Sequence, residues 1–150
     1  MGVPLAIVML PVALQGVVMV LDEFVYHHRR GLPRWERIGH PLDTLTVLLP
    51  FAVIAAVPYR ESLVSLYAGL AGFSCLFVTK DEFVHHEVCE AREQWLHSLL
   101  FVLHPLAFLS GYWIWKNPEY GMILPVQVGV LLVVLAYQVL YWNFLKRPAA

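Results

Sequence analysis

The chain has 150 residues, 59% of them hydrophobic and 14% charged, with a mean hydropathy of +0.65. Soluble domains carry about 45–50% apolar and about 25% charged residues, so this composition excludes a soluble globular domain and equally a disordered chain. Two cysteines exclude a disulfide-stapled scaffold, and a net charge of −1 selects no partner class.

A membrane-spanning helix needs roughly 20 mostly apolar residues. Apolar runs at about 3–21, 42–58, 62–79, 95–115 and 121–145 predict five such helices, making residues 1–150 a single all-α transmembrane bundle. Pro58-Tyr59-Arg60 and Lys116-Asn117-Pro118-Glu119 are read as turns. The first run lacks a basic n-region and a small-x-small site, and Asp22 and Glu23 follow it, so it is read as a retained span rather than a cleaved signal. Met1-Gly2 does not make a myristoylation signal, because Ala6 stands where Ser or Thr is needed. Arg29, Arg30, Arg34, Arg37, Lys80, Arg92, Lys146 and Arg147 fall on one side of this topology, with Arg60 and Lys116 on the other. The positive-inside rule then sets the N-terminus outside and the C-terminus in the cytoplasm. Trp35, Trp95, Trp113, Trp115 and Trp142 lie near span ends, as interfacial anchors do. Gly69 and Gly72, with Ala68 and Ala71, predict close helix packing.

Self-comparison reveals an internal repeat. Asp22-Glu23-Phe24-Val25 ends the first span and Asp81-Glu82-Phe83-Val84 the third; His27-His28 and His85-His86 follow. The chain reads as two parallel helical hairpins, about 3–58 and 62–115, that form a four-helix bundle with an extra helix at about 121–145. Two registers are open for the second half. His40-Pro41-Leu42 resembles His104-Pro105-Leu106, whereas acid-to-histidine spacing matches His40 with His97. The spacing is preferred because it has a physical rationale.

That rationale is a set of Glu-x-x-x-His pairs: Glu23 and His27, Glu36 and His40, Glu82 and His86, Glu93 and His97. Asp81 and His85 add a fifth acid–histidine pair at the same spacing. With 11 acids and seven histidines, chance placement gives about 0.5 such pairs, and residues four apart share a helix face. Successive helices run in opposite directions, so Glu23, His40, Glu82 and His97 are expected in one layer. His27, Glu36, His86 and Glu93 are expected in a second. Each layer holds two Glu and two His, and inward carboxylates with histidines in a four-helix bundle are the parts of a dinuclear metal site.

In these residue types and this architecture the chain resembles the di-iron or di-manganese carboxylate proteins. Glu82 and His85 reproduce the Glu-x-x-His spacing of that class once, while Tyr26 takes the equivalent place after Glu23. The resemblance implies two metal ions, iron first, and an oxidoreductase. Segment 22–43 sets Asp22, Glu23, Glu36 and Asp43 against four arginines, and segment 80–97 sets Asp81, Glu82, Glu87, Glu90 and Glu93 against Lys80 and Arg92. Clustered carboxylates at a membrane boundary repel and resist desolvation, which bound cations relieve. Mixed carboxylate and imidazole donors suit iron, manganese or zinc better than magnesium or calcium.

Asp22, His28, Asp43, Asp81, His85 and His104 are candidates for additional ligands or for residues that orient one. His104 lies about 10 Å deeper than His97 on the same face. Tyr26 is weighed as a redox participant against simple packing. Cys75 and Cys89 lack a CxxC partner and receive no redox or zinc role. The leading expectation is an oxidoreductase acting on O₂ and a lipid-soluble substrate. The alternatives are a zinc-dependent membrane hydrolase, a metal transporter or sensor, and a bis-histidine haem protein using His27 with His86 or His40 with His97. Membrane lipids are expected partners and nucleic acid is not, the first-loop arginines meeting headgroups instead.

Overall fold

The computed structural model describes residues 3–83, 85 and 89–146, and no strand occurs among them. Five helices are long and apolar enough to cross a membrane: α1 Leu5–Arg30, α2 Arg34–Ala56, α3 Glu61–Asp81, α4 Ala91–Lys116 and α5 Ile123–Leu145. Helices α2 and α4 begin several residues before the apolar runs do. Their polar first turns, bearing Glu36 and Glu93, are therefore fixed on rigid helix. Gly31, at φ 77°, ends α1 and starts the turn into α2; only glycine enters that region without strain.

α1 packs along α4, and α2 packs along both α3 and α5; α3 and α4 also meet. Each buried face follows helical periodicity. On α3 the inward positions are Tyr67, Ala71, Ser74 and Asp81, at steps of three, four and seven. On α1 they include Val8, Val18 and Asp22. Large apolar side chains such as Ile7, Leu76, Leu109 and Val133 point outward, as lipid-facing residues do.

The interior divides by chemistry along the helix axes. At one end Phe51, Ile54, Tyr67, Phe108, Ile114, Trp115 and Leu124 form the apolar core. Trp115 Nε1 donates to the Val57 carbonyl there, and the Tyr67 hydroxyl donates to that of Phe108. At the other end lie the carboxylates and histidines. Between them a polar belt joins four helices: Gln15 Nε2 to His104 Nδ1 at 3.1 Å, His104 Nε2 to Ser74 Oγ at 3.0 Å, and Ser74 Oγ to Thr46 Oγ1 at 2.9 Å.

Two expectations about packing are corrected. Gly69 and Gly72 face open space, so close approach does not occur there. It occurs at Gly111, where a Cβ would lie 2.7 Å from the Phe51 ring, and at Gly39, where one would lie 3.3 Å from Asp81 Oδ1. Of the five tryptophans, Trp115 and Trp142 are buried hydrogen-bond donors rather than surface anchors, because each indole N–H reaches an interior acceptor. Gly111→Val should cost about 1–3 kcal/mol by overpacking. Thermal unfolding in detergent will show this as a lowered midpoint, while Gly69→Ala leaves the midpoint near that of the wild type.

Candidate metal centre

Four histidines converge from four parts of the chain. His27 closes α1, His40 stands in the second turn of α2, His85 lies just past α3, and His97 sits in the second turn of α4. The His27 and His40 rings are 4.7 Å apart between centroids, and His85 stacks on His97 at 4.0 Å. His40 to His85 at 6.4 Å and His27 to His97 at 6.5 Å close the ring.

Carboxylates enclose this ring in two groups. In the first, Asp22 and His27 of α1 meet Glu93 and His97 of α4, with donor atoms all within 4.8 Å of one another. Asp22 Oδ2 lies 3.1 Å from His27 Nε2 and 3.2 Å from His97 Nε2. Glu93 Oε1 lies 3.8 Å from His27 Nε2. In the second group, Glu36 and His40 of α2 meet His85 within the same limit, and Glu36 Oε1 lies 3.7 Å from His85 Nε2. Donors each about 2.1 Å from one ion are separated by roughly 3.0 Å at right angles and 3.4 Å at the tetrahedral angle. The closest pairs have that spacing.

A one-turn π segment, Asp22–His27, is what brings Asp22 and His27 onto one face five residues apart. Such bulges are frequent at functional sites. At the end of α3, by contrast, Asp81 and His85 stand four residues apart in the sequence and both are buried. Asp81 continues the Tyr67–Ala71–Ser74 face, and Glu82, one position round, is exposed. The layer expected from Glu23, His40, Glu82 and His97 is therefore not assembled; the preceding aspartate takes the inward place in both motifs. His86, with Val84, Glu87 and Val88, lies outside the described residues.

Glu23 turns toward α5 and is fully engaged there. Its Oε1 accepts from the Tyr137 hydroxyl at 2.9 Å and from Trp142 Nε1 at 2.6 Å, and its Oε2 lies 3.1 Å from His27 Nδ1. A carboxylate holding Nδ1–H of a histidine fixes the tautomer that leaves Nε2 basic, and His27 Nε2 is the atom facing Asp22 and Glu93. Glu23 thus orients His27, and one of its oxygens also groups with His27 and His40 within 4.8 Å. His28 lies outside the cluster, stacked on Phe24 and Tyr141. Asp43 pairs with Lys80 at 2.6 Å, and Lys80 also holds Asp81 at 3.0 Å. His104 belongs to the polar belt, and Tyr26 lines a cleft between α1 and α4.

Three participants escaped the sequence reading. Arg30 clamps Glu36 and Glu93 together, and Tyr137 and Trp142 anchor Glu23 from a helix that carries no acid or histidine. Cys89 also comes near: its thiol groups with His85 and His97 within 4.8 Å. Burial, followed by the Glu93 charge, pushes that thiol up and keeps it protonated. Burial, with His97 alongside, pushes His85 down to about 4, so its imidazole is neutral at physiological pH, as a metal ligand must be.

Two observations test whether a metal fits. Asp22, Glu23, Glu36, Asp43, Asp81 and Glu93 lie around the ring, with Arg30 paired to Glu36 and Glu93 and Lys80 paired to Asp43 and Asp81. Asp22 Oδ1, His27 Nε2, Asp81 Oδ1, both His85 nitrogens and His97 Nδ1 are buried without a hydrogen-bond partner among the described residues. Leaving such an atom without a partner costs about 1–3 kcal/mol, and carboxylate and imidazole donors grouped within 4.8 Å of one another could hold a metal ion.

Comparison with protein-family models, curated proteins and solved structures finds no match to this chain. Trp142→Phe, which removes the shorter donation to Glu23, should weaken metal affinity about 10–100-fold. A competition titration against a chelating dye will measure this, with His28→Ala remaining close to the wild type.

Proposed function

We propose that this chain is a membrane-embedded dinuclear metal protein, with iron as its working metal. Asp22, His27, Glu93 and His97 hold one ion; Glu36, His40 and His85 hold the other. The observation that carries the reading is the group of buried donor atoms without partners, set among carboxylates that two fixed cations leave uncompensated. In this reading the two sets are related by the internal repeat, α1 and α4 corresponding to α3 and α2. His97 is then the counterpart of His40, since His104 is already held by Gln15 and Ser74. The clustered basic residues set this end of the bundle in the cytoplasm, with the N-terminus outside.

The reaction follows from the donor chemistry and the setting. A mixed carboxylate and imidazole set suits a redox-active ion such as iron, which supplies electron transfer to and from O₂ when bound. A cleft of about 450 Å³ lined by Leu21, Val25, Tyr26, Ala91, Arg92, Trp95 and Leu96 lies alongside. Leu21 and Leu96 are the chain neighbours of Asp22 and His97, so a lipid-soluble substrate lying in the cleft is one helix wall away from the metals. The chain is accordingly read as an oxidoreductase acting on O₂ and a lipid-soluble substrate.

Elemental analysis of the purified protein should give about two metal equivalents per chain. His85→Ala and His97→Ala should each lose bound metal, whereas Glu82→Ala, at an exposed position, keeps it. Full retention in both ligand variants overturns the ligand assignment. Reduced anaerobically and then mixed with O₂, the iron-loaded protein should change its visible absorption and Mössbauer spectrum. Reduced iron that ignores oxygen, with or without membrane lipid, removes the oxidoreductase and leaves the metal centre standing.

A further inference from the structure

Arg30 is the last helical residue of α1, and its guanidinium spans two helices. It donates to Glu36 Oε1 at 3.2 Å and Oε2 at 2.9 Å, and to Glu93 Oε1 at 2.9 Å. Both carboxylates are sealed from solvent, at 0% and 2% side-chain exposure, whereas Arg30 retains 22%. The guanidinium is thus the partly wet cover over two dry carboxylates at the polar end of the bundle.

An arginine bridging two acids is ordinarily a structural clamp. Here the identity of the oxygen atoms says more. Glu36 Oε1 accepts from Arg30 and is also the atom 3.7 Å from His85 Nε2. Glu93 Oε1 accepts from Arg30 and is also the atom 3.8 Å from His27 Nε2. Two of the three oxygens that Arg30 holds are therefore the ones that face a histidine of each metal group. A guanidinium and a divalent cation competing for the same buried oxygens repel each other strongly where the dielectric is low. Arg30 Nε, moreover, is buried without a hydrogen-bond partner among the described residues, so the side chain is held only by its charged tip. Gly31 follows at once and ends the helix.

We propose that Arg30 is an internal stand-in cation that gates the metal centre. It neutralises Glu36 and Glu93 in the metal-free protein. An entering divalent ion takes over those oxygens, and Arg30 swings out to water. The proposal rests on the dinuclear reading and adds to it the route and regulation of loading: ions enter from the polar end, past Arg30. The same residue keeps the centre folded when empty and slows both loading and loss.

The test follows cobalt(II) association with the full-length protein in detergent by stopped-flow absorption. Arg30→Gln removes the positive charge from the mouth and should raise the association rate about 10-fold or more. Arg30→Lys keeps the charge without the fork that spans two carboxylates, and should fall between the two. Association in Arg30→Gln at or below the wild-type rate, with an unchanged melting temperature, overturns the gate. Should that variant fail to fold, the wild type carries the test alone. Modification of Arg30 by phenylglyoxal, read by peptide mass spectrometry, should increase several-fold on zinc loading; unchanged or reduced modification overturns the gate. Wild-type protein that binds neither cobalt nor zinc overturns the metal centre itself and the gate with it. Metal binding with an indifferent Arg30 overturns the gate alone.

Discussion

Negative charge packed around four histidines, at one end of an otherwise apolar bundle, is the constraint on which the rest of the structure depends. Asp22, Asp81, Glu36 and Glu93 are all buried, and the interior that surrounds them has little capacity to solvate ions. Every element near that end is arranged around this difficulty. Arg30 and Lys80 each hold a pair of acids, and Gly39 lets Asp81 approach α2 closely. Helix α5, which carries no acid or histidine, sends Tyr137 and Trp142 to satisfy Glu23. Even so, buried atoms of Asp22, His27, Asp81, His85 and His97 have no hydrogen-bond partner among the described residues.

The opposite end has the complementary role. Phe51, Tyr67, Phe108 and Trp115 interlock there around Gly111, and that apolar packing fixes the helices on which the polar end is mounted. Between helices in a bilayer such side chains contribute by van der Waals packing and interhelical hydrogen bonds rather than by leaving water. This offsets part of the cost of holding buried carboxylates together. The belt of Gln15, His104, Ser74 and Thr46 marks the transition, tying four helices by hydrogen bonds where both chemistries meet. In this account His104 is a structural tie across the bundle.

The five helices were legible because each apolar run is long and bounded by charge or proline. The polar first turns of α2 and α4 were not, since composition cannot distinguish polar helix from loop. Within the site, Glu36, His40, Glu93 and His97 could be read from spacing alone. Glu82 could not be told from Asp81 that way, because Glu82–His86 and Asp81–His85 have identical spacing. The discriminating signal lay upstream: extending the Tyr67, Ala71, Ser74 face by seven residues reaches Asp81 and by eleven reaches His85. In α1 the same extension reaches Asp22 but then fails, because the π turn inserts a residue before His27. Arg30, Tyr137 and Trp142 carried no local signal, as their partners lie on other helices.

The central claim is that these donors hold two metal ions side by side. X-ray absorption spectroscopy of the iron-loaded full-length protein tests it most directly. The expected result is a first shell of mixed nitrogen and oxygen donors near 2.0–2.2 Å, imidazole scattering beyond it, and a metal–metal vector of about 3.5–4 Å. A shell of oxygen alone without imidazole scattering, or iron without a second iron at that distance, would contradict the account.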